Sequence, residues 1–165
     1  MVLTTLPNRQ FLLQHPAHFL ALGFGSGLMP KAPGSSGTLA ALPLFAVLMY
    51  LPEVSHLPIL AALFLIGIPL CGITGRNLGV SDHGSIVWDE IVAYMLVLEF
   101  TPKSWEWWLY AFLLFRLFDI WKPFPIRTLD RKIHGGFGVM LDDLLAAIYA
   151  IAVLKGLQWW MMQSF

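Results

Sequence analysis

The chain has 165 residues, 58% of them hydrophobic and only 12% charged, and its ten basic and ten acidic side chains give a formal net charge of zero. An ordinary soluble domain carries roughly 25% charged residues, so a water-exposed surface of normal polarity is excluded. The length suits a single domain, 1–165, with residues 1–18 expected to form an interfacial or cytoplasmic N-terminal segment. With no basic tail or stripe, nucleic acid is excluded as a partner, and no protein partner is implied.

In chain order, residues 1–18 hold one early Arg9, and Gln14, His15 and His18 interrupt their apolar run. No small-residue cleavage pattern follows, so a signal peptide is not expected. The glycine-rich segment Phe19–Leu28 suits the membrane interface better than a full span. Then comes MPKAPGSSGTLAAL, in which Gly34, Ser35, Ser36 and Gly37 lead into Thr38. Thr38 is expected to cap a helix beginning at Leu39. The free N–H groups of such a helix start, with Lys31 nearby, suit a phosphate; a simple turn between helices is the alternative. No Gly-Lys-Ser/Thr follows, so the loop is not a Walker A motif.

Apolar helices are expected over Leu39–Leu51, Leu57–Ile73, Ile86–Phe100, Trp105–Phe118 and Val139–Leu154. Residues 32–52 and 54–75 lack Asp, Glu, Lys and Arg altogether, and membrane-crossing helices need about 20 mostly apolar residues. Helix is preferred to strand because backbone exposed to lipid must satisfy its own hydrogen bonds. The expected fold is therefore all-α, a multi-pass membrane bundle of about five to six helices. Cys71, the only cysteine, lies in an apolar run and is expected to pack rather than react.

If each of the last five segments crosses once, the connections Met29–Thr38, Thr74–Ser85 and Asp119–Gly138 share one side. That side holds Lys31, Arg76, Lys122, Arg127, Arg131 and Lys132, while the opposite loops hold Lys103 alone. Excess Lys/Arg marks cytoplasmic loops, so the polar face is expected to be cytoplasmic. Trp159 and Trp160 then suit an anchor at the far interface.

Two apolar helices carry acidic pairs near their starts: Asp89 with Glu90 in SIVWDEIVAYMLVLEF, and Asp142 with Asp143 in GVMLDDLLAAIYAIAVL. A carboxylate at mid-membrane costs roughly 2.5–3.5 kcal/mol on insertion scales, and four together repel one another unless a cation neutralises them. An oxygen-rich set without a cysteine cluster or a paired-histidine helix favours Mg²⁺ over Zn²⁺. Helix-dipole partners at the membrane boundary are the plainer reading of either pair alone. In FRLFDIWKPFPIR, Arg116 and Asp119 share a helix face and Lys122 precedes the terminating Pro123. Asp82 is either a further metal ligand or a cap for the Asp89 helix, and His83 and His134 are expected to be loop hydrogen-bonders. Carboxylates for metal, cations for phosphate oxygens and a glycine-rich helix start are the parts phosphoryl transfer uses. A site at the membrane boundary suits a phospholipid.

The segments MPKAPGSSGTLAALP, VSDHGSIVWDEIV, FRLFDIWKPFPIR and HGGFGVMLDDLLAA, spanning about residues 22–154, resemble the phosphatidylglycerophosphatase A family of bacterial membrane lipid phosphatases. The resemblance implies a Mg²⁺-dependent enzyme of the bacterial cytoplasmic (inner) membrane that removes the terminal phosphate of phosphatidylglycerophosphate to leave phosphatidylglycerol. It places the family's acidic motif on Asp82, Asp89 and Glu90, later motifs on Arg116, Asp119, Lys122, Asp142 and Asp143, and the glycine-rich motif on Gly34 to Thr38. On that basis Asp82, Asp89, Glu90, Asp142 and Asp143 are the expected metal ligands. Lys31, Arg116, Lys122 and the Gly34–Thr38 backbone are the expected phosphate binders. Either water or a carboxylate could attack phosphorus. The rival readings are a small transporter or ion channel, expected to distribute polar residues through the bilayer, a structural membrane protein, and a phosphatase of another phospholipid.

Overall fold

A computed structural model describes residues 7–163. Among them are eight α-helices and no strand: α1 Arg9–Gln14, α2 Pro16–Ala21, α3 Pro33–Leu48, α4 His56–Leu78, α5 Trp88–Glu99, α6 Trp105–Trp121, α7 Ile126–Asp130 and α8 Gly135–Gln163. Short 3₁₀ turns cover Gly23–Leu28 and Glu53–Ser55.

The N-terminal part is broken into pieces by its polar residues. The Asn8 side chain accepts from the Phe11 N–H and caps α1, and His15 does the same for α2 through the Ala17 N–H. The chain then turns through left-handed Phe24 and Gly25, so no continuous span forms here. The segment docks on the bundle where the Val87 N–H donates to the Ala21 carbonyl (2.9 Å) and where Asn77 Nδ2 meets His18 Nε2 (2.9 Å).

Helix α5 is the hub, touching α2, α3, α4, α6 and α8. Between Glu90 and Glu99 its sequence is apolar on every face, which is the pattern of a helix enclosed by others, and Ile91, Val97 and Leu98 are fully buried. Helix α8 lies against α4, α5, α6 and α7. It approaches α4 so closely that a Cβ on Gly136 would sit 1.8 Å from the Ile68 carbonyl oxygen; only glycine permits this crossing. Cys71 is buried beside Met140, a packing role as expected.

The outer faces of α3, α4, α6 and α8 are apolar, with Val47, Leu65, Leu113 and Ile148 all exposed. A soluble monomer rarely presents such a surface. Two helices are long and apolar enough to cross a membrane: Glu53–Leu78, which includes α4, and Gly135–Gln163. At 26 and 29 residues they rise about 39 and 44 Å, beyond the roughly 30 Å hydrocarbon core. Helices α3, α5 and α6, at 16, 12 and 17 residues, rise about 18–26 Å and fall short of it.

One expectation is overturned. The segment Gly34–Thr38 is not a loop capped by Thr38 but the first turns of α3, which starts at Pro33 behind a left-handed Ala32. Proline at the first helical position is pre-set for helix, and the buried Thr38 hydroxyl donates back to the Gly34 carbonyl (2.9 Å).

Candidate active site

The three connections grouped on one side by charge do meet. Ala32, Pro33 and Gly34 from the first, Asp82 and Gly84 from the second, and Asp119 and Lys122 from the third line a single cleft of about 360 Å³ at one end of the bundle. Asp89 and Glu90 from α5, Arg116 from α6 and Asp142 and Asp143 from α8 complete its wall. Six carboxylates thus face two cations, an excess of four formal negative charges.

Arg116 is held between helices: its Nη1 lies 2.5 Å from Asp119 Oδ2 and 3.4 Å from Glu90 Oε1. The first contact is the i,i+3 pair that the sequence spacing predicts; the second ties α6 to α5. Lys122 closes α6 in a left-handed conformation (φ 46°), and its ammonium bonds Asp142 and also lies 3.2 Å from Asp130 Oδ1. Burial works against the Lys122 charge, but Asp142 and Asp130 outweigh it and its pKa is raised. Asp82 is an exposed residue on the lip of the cleft. Desolvation lifts its carboxyl above the ordinary range, with Lys122 pulling down and Asp130 and Asp119 adding to the rise. It does not cap α5, whose N-cap is Val87. His83 is the loop hydrogen-bonder expected, accepting from the Ser85 N–H (3.1 Å).

Among the described residues two carboxylate triads bring one oxygen each within 4.8 Å of one another: Asp89, Glu90 and Asp143, and Asp82, Asp130 and Asp142. The α8 doublet is therefore divided. Consecutive helical residues project about 100° apart, so Asp143 turns to α5 while Asp142 turns to Lys122. The doublets share one cleft but do not close around a single point. Asp130, absent from the sequence-based set, sits in the run RTLDRK, which reads locally as ordinary solvated charge. Its relation to Asp142 exists only because α7 folds back against α8.

The donor chemistry fits an oxygen-ligated divalent cation. Asp89 Oδ1, Glu90 Oε2, Asp142 Oδ1 and Asp143 Oδ2 are buried without a hydrogen-bond partner. Each such atom costs on the order of 1–3 kcal/mol, more when charged, and a hard cation is the ligand that satisfies carboxylate oxygens without adding donors. Gly34 is the lid of this arrangement: a Cβ there would stand 2.3 Å from Glu90 Oε1 and 2.9 Å from the Arg116 guanidinium. Lys31, Ser35, Ser36, Gly37 and Thr38 do not reach the cleft wall. Lys31 is exposed on the turn before α3, and Gly37 packs against Val87.

Fold and chemistry together define an all-helical protein with an acid-lined cleft suited to a divalent cation. Residues 19–158 match the model of the Phosphatidylglycerophosphatase A family, and the chain belongs to it. A protein of Haemophilus influenzae named phosphatidylglycerophosphatase A is 52% identical over 158 residues, 94% of this chain and 97% of that one. Its namesake in Escherichia coli is 43% identical over 86% of this chain and 83% of its own. A Bacteroides thetaiotaomicron protein, provisionally named a phosphatidylinositol-3-phosphatase, is 35% identical over 85% and 92%. No solved structure matches the chain.

Proposed function

We propose that the chain is a Mg²⁺-dependent phosphatidylglycerophosphatase of the bacterial inner membrane. In this reading it hydrolyses the terminal phosphomonoester of phosphatidylglycerophosphate, in phosphatidylglycerol synthesis, at a cleft open to the cytoplasm. The observation that carries the reading is the set of four buried, unpartnered carboxylate oxygens on Asp89, Glu90, Asp142 and Asp143 beside Arg116 and Lys122. The names of the relatives supply the substrate, and the loop charges supply the orientation.

Asp89, Glu90 and Asp143 would hold one ion, and Asp142 with Asp82 and Asp130 is a second oxygen-rich place for another. When bound, Mg²⁺ supplies Lewis acidity toward phosphate oxygens and water. Arg116, fixed by Asp119 and Glu90, presents a guanidinium to the non-bridging oxygens, whose charge grows in the transition state. Lys122 offers a second positive charge. The N–H groups at the start of α3, where Gly34 lines the cleft, add the positive end of a helix dipole. Attack on phosphorus breaks the P–O bond to the glycerol, which leaves with a proton as alcohol. Trapping a phosphorylated carboxylate would identify that side chain, rather than water, as the attacking group.

The transporter reading expects polar groups through the depth of the bundle, whereas here the unpartnered carboxylate oxygens of Asp89, Glu90, Asp142 and Asp143 gather in the cleft at one end, and the acids at the other end are paired. The test is phosphate release by detergent-purified protein from phosphatidylglycerophosphate with Mg²⁺, with chelator, and with phosphatidic acid or phosphatidylinositol 3-phosphate instead. Turnover that requires Mg²⁺ and favours phosphatidylglycerophosphate is expected. Preference for another lipid would reassign the substrate, and no release from any would remove the enzyme reading.

A further inference from the structure

The cleft is not the only surface at this end that carries cationic side chains. Next to it, sharing Ile120 and Lys122 with its wall, runs an open groove of about 760 Å³ lined also by Leu117, Trp121, Arg127, Asp130 and Arg131. Lys122, Trp121, Arg127 and Arg131 also line a further hollow with Phe124 and Thr128. The groove exists because Lys122 reverses the chain in the left-handed region, a conformation that costs a non-glycine residue energy and gathers at functional sites. After the reversal, α7 and the end of α6 line the groove together.

Arg127 and Arg131 are four apart and project to one side. Both are exposed, and neither enters an ion pair among the described residues, whereas Arg116 and Lys122 each hold two carboxylates. Around them Trp121, Phe124 and Ile120 are 65%, 80% and 72% exposed, so the free guanidiniums sit in an apolar rim. That combination belongs at a lipid–water boundary, where aromatic rings lie at headgroup level.

We propose that Arg127 and Arg131 form a second anion subsite that takes the phosphodiester of the substrate headgroup while the terminal phosphomonoester occupies the acid-lined cleft. The inference rests on the proposed reaction and deepens it. Phosphatidylglycerophosphate carries two phosphates joined by one glycerol, and the two surfaces meet along Ile120 and Lys122. A paired guanidinium fork recognises phosphate oxygens bidentately, which a lone ammonium does not. Phosphatidic acid has no phosphodiester and leaves the arginines without a ligand. The subsite therefore separates the two lipids.

Two measurements test it, both in neutral detergent so that no bulk anionic lipid competes. First, kcat/KM is compared for phosphatidylglycerophosphate and phosphatidic acid in the wild type, Arg127→Gln, Arg131→Gln and the double variant. The preference for phosphatidylglycerophosphate should fall about tenfold or more per arginine, the worth of a charged hydrogen bond, mostly through KM. An unchanged ratio overturns the subsite, even if both activities drop together. Second, calorimetry follows binding of glycerophosphoglycerol, the phosphodiester headgroup without acyl chains or terminal phosphate. Wild-type binding weakened at least tenfold in the double variant supports the subsite; no binding, or equal binding, overturns it. If the wild type fails to hydrolyse phosphatidylglycerophosphate, the proposed reaction fails on its own, and the calorimetry still decides the subsite.

Discussion

Helix α5 carries a carboxylate at each end, and the two ends are treated differently. At its last residue, Glu99 lies 3.0 Å from His56 Nδ1, and His56 uses its other nitrogen on the Leu51 carbonyl (3.1 Å). Nearby, Glu53 has Lys103 at 3.7 Å and Glu106 accepts from the Ser104 hydroxyl at 2.7 Å. Acids at that end each have a partner. At the first turn, Asp89 and Glu90 face Asp143 in a cleft with four more carboxylates than it needs to balance Arg116 and Lys122. A paired acid is accounted for by the fold, whereas buried carboxylate oxygens left without a partner, as on Asp89, Glu90, Asp142 and Asp143, call for a ligand that stability alone does not explain. The contrast is therefore a claim about what each end is for, and it can be broken.

The largest effect is expected from Asp89→Asn or Asp143→Asn. Each amide removes a charge from the α5–α8 triad at almost constant volume, so the protein should extract and melt like wild type or higher, since repulsion is relieved. Phosphate release should fall by about three orders of magnitude, the scale lost with a main electrostatic group. Chelation should reproduce that loss in the wild type, and added Mg²⁺ should reverse it. Normal turnover in either variant would remove that residue from the site and weaken the contrast. Next comes Gly34→Ala. The added methyl must displace Glu90 or Arg116, and a shift of about 1 Å at a reacting centre can cost about a hundredfold in rate. Ser36→Ala, two residues further along α3 and off the cleft wall, serves as its control and should stay within about twofold of wild type, since changes away from such features are usually small.

How much of this was legible beforehand follows the same division. An acidic pair inside an apolar run is a strong signal wherever it lies, so both doublets, and the Arg116–Asp119 pair at its i,i+3 spacing, could be read without coordinates. The clustering of three loops also followed from counting helices and charges. The helical start of α3 did not, because GSSG looks like a loop by propensity; its glycines serve the close approach of α3 to Glu90, Arg116 and Val87, which only the folded chain reveals. Asp130 was hidden for the opposite reason. Its neighbours Arg127, Arg131 and Lys132 make it look like part of a solvated run, and its meaning comes from a reversal at Lys122 that no local pattern encodes.

Lys122→Ala tests the middle of the scale. It leaves the α5–α8 triad intact but frees Asp142 and Asp130 from their shared ammonium. KM should rise about tenfold with a smaller change in kcat, since an interaction present before and during the reaction acts mainly on binding. A loss as deep as that of Asp89→Asn, confined to kcat, would instead move Lys122 among the groups that act in the transition state.

The smallest catalytic effect is expected at the far end. His56→Ala removes the partner of Glu99, whose side chain is only 15% exposed, and should lower the melting temperature by on the order of 5 °C while kcat per folded molecule stays within about twofold. Lys103→Ala should change neither, because its partner Glu53 is 84% exposed and water screens the pair. Should His56→Ala abolish turnover at a temperature where the protein remains folded, the two ends of α5 would be coupled through the helix. Partnered acids could then no longer be set apart from catalysis on the strength of their pairing.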